Sequence, residues 1–272
     1  MPTVEEYTDP YAASFIPVPS VRPGICSTCH SWSEALRDGG HHETCRSCRD
    51  TVAPIAAPVS PVVPISLVRV GSPFYDALRS YKDSPSPDTR ATFALRLGAL
   101  LARFLRDHGD CVRAAAGADW DVITIVPSSG GRAGHHPLED VVGKARAQRA
   151  LYQPLLELTR VVALEHRRAD ERAYRLTSDV VGARVLLIDD TFTTGSRVHS
   201  AGAALTSGGA DVVASGAPST RPSAPKRPSS GRSNGRSSSR SRAAASNRRL
   251  DLGASVGEWP PALSPGRCHV AI

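Results

Sequence analysis

The sequence predicts an α/β protein built around a parallel sheet, and three stretches carry that expectation. Residues 185–198, Val-Leu-Leu-Ile-Asp-Asp-Thr-Phe-Thr-Thr-Gly-Ser-Arg-Val, pass from four apolar residues through two carboxylates and a Thr/Gly/Ser turn into an Ala-rich helical run that reaches Leu205. A run of four apolar residues without polar alternation reads as a strand covered on both faces, as in parallel sheets. Residues 122–126, Val-Ile-Thr-Ile-Val, lead in the same way through a small-residue loop at 127–134 to a helix starting near Leu138. A further apolar segment, 211–214, ends the regular pattern.

Strand, loop and helix in that order place polar groups in the crevice at the strand's carboxyl end, where open α/β sheets bind ligands. Asp189 and Asp190 belong there. The turn from Thr191 to Arg197 lets the backbone curl round an anion, with successive N–H groups and the amino end of the next helix directed inward, a fit for phosphate. Two carboxylates would repel the phosphate itself, so they hold sugar hydroxyls, a divalent cation, or both. The inferred ligand is a phosphorylated sugar with magnesium.

Hydrophobic strand, Asp-Asp, Thr-x-Thr-Thr-Gly resembles the phosphoribosyl pyrophosphate motif of type I phosphoribosyltransferases. The resemblance implies that Asp189 and Asp190 are the catalytic pair binding the ribose hydroxyls. It also implies that Thr191, Thr193, Thr194, Gly195, Ser196 and Arg197 wrap the 5'-phosphate. By the same resemblance Ser128, Ser129, Gly130, Gly131 and Arg132 form the pyrophosphate loop. A Gly-rich loop between strand and helix is an anion site by backbone geometry in any case, and an ordinary βα turn is the other reading.

Taken in order, residues 1–25 contain five prolines and no helical period, and read as an extended leader. Cys26-Ser-Thr-Cys29 and Cys45-Arg-Ser-Cys48 follow, separated by fifteen residues. Two CxxC knuckles at that separation can wrap one tetrahedral Zn²⁺ with four thiolates and leave no open position, so residues 26–50 are expected to be a structural zinc knuckle. His30, His41 and His42 flank the cysteines and could replace one of them. Cys111 and Cys268 stand alone.

Residues 51–64, with Pro54, Pro58, Pro61 and Pro64, read as a semi-extended linker or a run of edge strand. A short strand is expected at 65–70 and a short helix at 74–82. The pattern Tyr75-x-x-Leu78-x-x-Tyr81-Lys82 after a cysteine-rich segment resembles ComF-type proteins, in which a zinc module precedes a phosphoribosyltransferase domain. Lys82 could reach a phosphate or lie solvated on the surface.

Asp88 reads as the N-cap of an amphipathic helix that runs to about Asp107 and stops near Gly109. The helix from Leu138 carries Val141, Val142 and Ala145 inward, turns Lys144, Arg146 and Arg149 outward, and must end or kink before Pro154. A short strand is expected within 155–164. The charged run 166–175 resembles in position the loop that closes over substrate in the family, with Arg167, Arg168, Arg172 and Arg175 facing the diphosphate. A solvated charged loop is the alternative.

The chain has 272 residues and a formal charge of +7. Ten of its 33 Lys/Arg and two of its 26 Asp/Glu fall in residues 216–272, which leaves the preceding residues with 23 against 24. The basicity belongs to the tail and gives no ground for nucleic-acid binding by the body. Residues 216–272, rich in Ser, Arg, Pro and Gly, are expected to be disordered. A change of reading frame would yield such residues, and a basic arm that binds nucleic acid is the rival. No apolar run of about 18 residues and no secretory pattern is present, so no membrane association and a cytoplasmic location are expected.

The sequence therefore predicts a type I phosphoribosyltransferase-like α/β domain at 65–215, with structural Zn²⁺ in the amino-terminal module. It would bind phosphoribosyl pyrophosphate with Mg²⁺ and serve an unidentified nitrogen acceptor. Against this enzyme stand a non-catalytic ligand sensor, a DNA-uptake or nucleic-acid-associated ComF-like protein, and an inactive frameshifted product.

Overall fold

The computed structural model describes residues 2–127, 135–159 and 167–219. Its strands are β1 (Val62–Leu67), β2 (Val122–Ile125), β3 (Leu156–Leu158), β4 (Tyr174–Leu176), β5 (Arg184–Ile188) and β6 (Asp211–Ser219). Four of them form one parallel sheet in the order β1-β6-β5-β2, and β3 pairs antiparallel with β4. The helices are α1 (Val4–Thr8), α2 (Arg46–Val52), α3 (Pro73–Asp83), α4 (Pro87–Ala116), α5 (Pro137–Lys144), α6 (Arg146–Leu151) and α7 (Ser196–Ser207).

Alternation along the strands divides the interior into two cores. Ile123 and Ile125 of β2 and Leu186 and Ile188 of β5 face one way, into side chains of α3, α4 and α5. Val122, Val185 and Leu187 face the other, into α7, the β3–β4 hairpin and the cysteine module. Helices cover the first face because their apolar residues recur at helical spacing. Phe74, Ala77, Leu78 and Tyr81 of α3 form one buried stripe. Because all four sheet strands are parallel, their carboxyl ends lie along one edge, and Asp189, Asp190 and Pro127 follow directly on β5 and β2 there.

Residues 4–14, expected as an extended leader, are helical. Thr3 and Glu6 form a reciprocal capping box at the start of α1, and a 3-10 turn follows at Asp9–Ser14. The segment belongs to the core. Tyr11 and Phe15 pack on Phe74 with ring centroids 6.1 and 5.1 Å away, and Arg103 of α4 donates to Thr8 and Asp9.

The long helix also departs from expectation. It is capped by Ser86 rather than Asp88, runs through Gly109, and ends at Gly117 in the left-handed conformation. Gly109 does not stop it because the next turn buries Cys111 and Val112, while Arg113 pairs with Asp110 and Asp119 and lies 4.6 Å over the Trp120 ring. The linker at 51–64 is shorter than expected, since α2 reaches Val52 and β1 begins at Val62 rather than at residue 65. As an edge strand β1 accommodates Pro64. The kink before Pro154 falls at Ala145, between α5 and α6. β6 runs to Ser219, four residues past the expected domain end. Residues 216–219, the start of the expected disordered tail 216–272, are therefore strand paired with β1, and the rest of that tail, 220–272, lies outside the described residues. No helix among the described residues is long and apolar enough to cross a membrane.

Gly98 lets α5 approach α4. A Cβ at that position would lie 2.6 Å from Lys144 Cβ and 2.7 Å from the Val141 carbonyl oxygen. Gly98→Ala should therefore lower stability by about 1–3 kcal/mol, outweighing the gain of about 1 kcal/mol that alanine brings to a helix interior. A lower urea midpoint at unchanged slope is the expected readout.

Candidate functional site

The carboxyl edge of the sheet brings the predicted acidic pair together with cations from two helices, Lys82 of α3 and Arg197 of α7. Asp189 and Asp190 are 4% and 7% exposed. Asp189 is fixed from below by its own N–H, which donates to the Gly216 carbonyl at 3.1 Å. Its Oδ1 accepts from the Asp190 N–H at 2.8 Å. Asp190 Oδ2 accepts from the Tyr81 hydroxyl at 2.6 Å and from Lys82 Nζ at 2.5 Å, both at the carboxyl end of α3. The Arg197 guanidinium, from the first turn of α7, stands 3.8 Å from Asp190 Oδ1. That oxygen is buried and has no hydrogen-bond partner among the described residues. Lys82, for which a solvated position was one expectation and a phosphate contact the other, is 28% exposed and bonded to a carboxylate.

These contacts split the pair electrostatically. Burial pushes the Asp189 carboxyl up to about 7, although the Arg197 charge opposes it. Burial acts on Asp190 too, but the Lys82 charge and the hydrogen bonds from Lys82 and Tyr81 hold it below the ordinary carboxylate value. Tyr81 is pushed up by burial and by the Asp190 charge beside it. His136 caps α5 through Nδ1, which accepts from the Leu138 N–H at 3.1 Å. Burial holds its pKa down, with the Asp190 and Glu139 charges opposing.

The turn after the pair is shaped by Phe192. Its side chain is fully buried, and its N–H donates to the Pro218 carbonyl of β6 at 2.7 Å. Gly195 lies on that ring with φ +83°, where a Cβ would come within 2.5 Å of Phe192 Cζ. Only glycine fits both demands. The Thr194 hydroxyl accepts from the Ser196 N–H at 3.4 Å as α7 begins. Thr191 and Thr194 are partly exposed and Thr193 exposed, while Gly195 and Ser196 are buried. Residues 189–197 are thus gathered at one edge. The expected pyrophosphate loop, Ser128, Ser129, Gly130, Gly131 and Arg132, lies outside the described residues, although Pro127, which precedes it, sits at the same edge and accepts from the Tyr174 hydroxyl at 3.2 Å.

The charged run 166–175 is partly structured. A 3-10 turn at Glu171–Ala173 leads into β4. Arg172 is paired with Asp170 and Arg175 with Glu157. Both pairs are local to the hairpin, so in this arrangement these two arginines are engaged away from the carboxylates.

A second cluster lies in the amino-terminal module. Cys26, Cys29, Cys45 and Cys48 are buried, with all four sulfurs within 4.8 Å of one another. The Cys29 and Cys45 sulfurs are 3.8 Å apart, close to the separation of about 3.8 Å that Zn–S bonds of about 2.3 Å give at a tetrahedral centre. The four cysteines could hold a metal ion such as zinc. None of the three flanking histidines joins the cluster. His30 is buried and pairs through Nδ1 with the Pro19 carbonyl, and His41 packs edge-on against Trp32.

The chain matches no family model and no curated protein.

Tyr81, Lys82 and His136 are the site residues that strand-loop-helix reasoning did not supply. For Tyr81 the available signal was its place as the last member of the α3 apolar stripe, where a hydroxyl must find a partner when buried.

The raised Asp189 carboxyl has a consequence for stability. In the folded chain it keeps its proton up to about pH 7, whereas in an unfolded chain it loses it near pH 4. The unfolded state therefore binds fewer protons through this window, and stability falls as pH rises from about 4 to about 7, by a few kcal/mol at most. Urea unfolding at stepped pH should show that fall, and Asp189→Asn should flatten it.

Proposed function

We propose that the chain is a phosphoribosyltransferase-like protein that binds phosphoribosyl pyrophosphate with Mg²⁺ and transfers the phosphoribosyl group to a nitrogen acceptor. The observation that carries this reading is the meeting, at one sheet edge, of a buried carboxylate oxygen with no hydrogen-bond partner among the described residues and a small-residue turn that opens a helix. The first suits a sugar hydroxyl, which donates. The second suits a phosphate, which accepts.

In the reaction the bond from C1 of the ribose to the diphosphate oxygen breaks with its electron pair on the leaving group. A nitrogen lone pair forms the new C1–N bond, and the nitrogen's proton passes to solvent. Little covalent chemistry falls to the protein, so the reaction asks for no protein nucleophile. Asp189 and Asp190 would orient the ribose through its hydroxyls, residues 191–197 would hold the 5'-phosphate, and Arg197 would balance the acidic pair. Bound Mg²⁺ would supply charge neutralisation on the departing diphosphate.

Cys26, Cys29, Cys45 and Cys48 would hold a structural Zn²⁺. A closed set of four thiolates offers no position to a substrate and contributes folding energy to a segment too short to bury a core of its own. The family resemblance of the acidic motif and of the Tyr75–Lys82 segment to ComF-type phosphoribosyltransferases agrees with this reading.

Calorimetric titration of phosphoribosyl pyrophosphate into the zinc-loaded protein, with and without Mg²⁺, tests the proposal. Magnesium-dependent binding is expected, with at least about a hundredfold loss in Asp189→Asn/Asp190→Asn, the scale of two lost hydrogen bonds to charged groups. Absence of binding by folded protein would reject it.

A further inference from the structure

The end of α3 bears on how the acidic pair is used. Ser72 caps this helix by accepting from the Tyr75 N–H, Pro73 occupies its first turn, and the stripe Phe74, Ala77, Leu78 and Tyr81 docks it on the sheet. That docking fixes where Tyr81 and Lys82 emerge. Both reach the same oxygen of Asp190, at 2.6 and 2.5 Å.

A carboxylate oxygen accepts about two hydrogen bonds, so Oδ2 is saturated. Oδ1 is buried and has no hydrogen-bond partner among the described residues, and Arg197 at 3.8 Å is too far to donate to it. Burying an acceptor in this way is unfavourable, and a donor brought by a ligand would relieve it. The groups that face Asp190 are Tyr81 and Lys82 from α3, His136 at the start of α5, Asp189 beside it on the chain and Arg197 from α7. Lys82 and Arg197 are the cations among them, and both side chains are partly exposed rather than sealed in.

We propose that Tyr81 and Lys82 are positioning residues that hold Asp190 with Oδ2 occupied and Oδ1 presented to one ribose hydroxyl, so that they set the preference of the site for ribose over deoxyribose phosphates. The proposal rests on the ribose-phosphate reading given above. Lys82 acts through Asp190 and need not touch the ligand. Without it the carboxylate loses its nearest cation. Without the Tyr81 hydroxyl it is free to turn both oxygens toward the crevice.

The test uses the full chain and three probes: ribose 5-phosphate and its 2-deoxy and 3-deoxy analogues, titrated calorimetrically into the wild-type protein, Tyr81→Phe, Lys82→Met and Lys82→Arg. The wild type should bind ribose 5-phosphate about tenfold or more tightly than one of the two analogues, the scale of one hydrogen bond to a charged group. Lys82→Met should weaken ribose 5-phosphate and bring its affinity to within about twofold of that analogue. Tyr81→Phe, which keeps the shape of the buried ring, should narrow the preference less, and Lys82→Arg should restore it. If Lys82→Met or Tyr81→Phe weakens all three probes equally, or if Lys82→Met keeps the wild-type preference, the positioning role is overturned and the site reading is left intact. If the wild type binds all three probes alike, the positioning role is likewise wrong. Failure of the wild type to bind any of them would overturn both.

Discussion

Two adjacent carboxylates buried at the end of a parallel strand are the constraint on which the rest of this structure depends. Each would be costly to bury alone, and side by side they also repel. The chain answers from three directions. α3 brings a cation and a hydroxyl to Asp190, α7 brings Arg197, and the backbone supplies the Asp190 N–H to Asp189. One oxygen, Asp190 Oδ1, has no hydrogen-bond partner among the described residues. A hydroxyl donated by a ligand would satisfy it.

The second core ties this edge to the cysteine module. The four sulfurs belong to the same apolar cluster as Val59, Phe192 and Val198. The Val59 N–H donates to His199 Nδ1 at 3.2 Å, and the His199 ring stands edge-on to Phe192 with centroids 6.1 Å apart. Burial pushes His199 down to about 4, which keeps it neutral and able to accept that bond. Val59 also packs where a Cβ on Gly202 would otherwise lie, 2.0 Å from Val59 Cγ2. The segment after the cysteines is therefore clamped to α7, the helix that opens from the candidate phosphate turn. On the opposite face Tyr11 and Phe15 clamp the amino terminus to α3.

Much of this was legible in the sequence because it depends on local pattern. Continuous apolar runs at 122–126 and 185–188 marked the two paired strands β2 and β5, the acidic turn fell at the carboxyl edge of the sheet, and two CxxC pairs marked the sulfur cluster. What was not legible depends on contacts between distant residues. Gly109 looked like a helix stop because its role is decided by Cys111, Val112 and Trp120, which bury the following turn. The amino terminus looked extended because its prolines outweighed one capping box, Thr3 with Glu6, that could have been read. Lys82 stood out only through the Tyr-x-x-Leu-x-x-Tyr-Lys pattern, and its pairing with Asp190 was not legible because the two are 108 residues apart. The β3–β4 hairpin is three residues per strand, too short for alternation to show.

The central claim is that residues 189–197 form one sugar-phosphate site, and amide chemical-shift mapping with ribose 5-phosphate tests it most directly. The account predicts shifts concentrated at Asp189, Asp190 and Thr193 to Arg197, extending to Tyr81 and Lys82 on α3. Shifts that leave this edge untouched and gather in the cysteine module or the basic segment beyond residue 219 would contradict it.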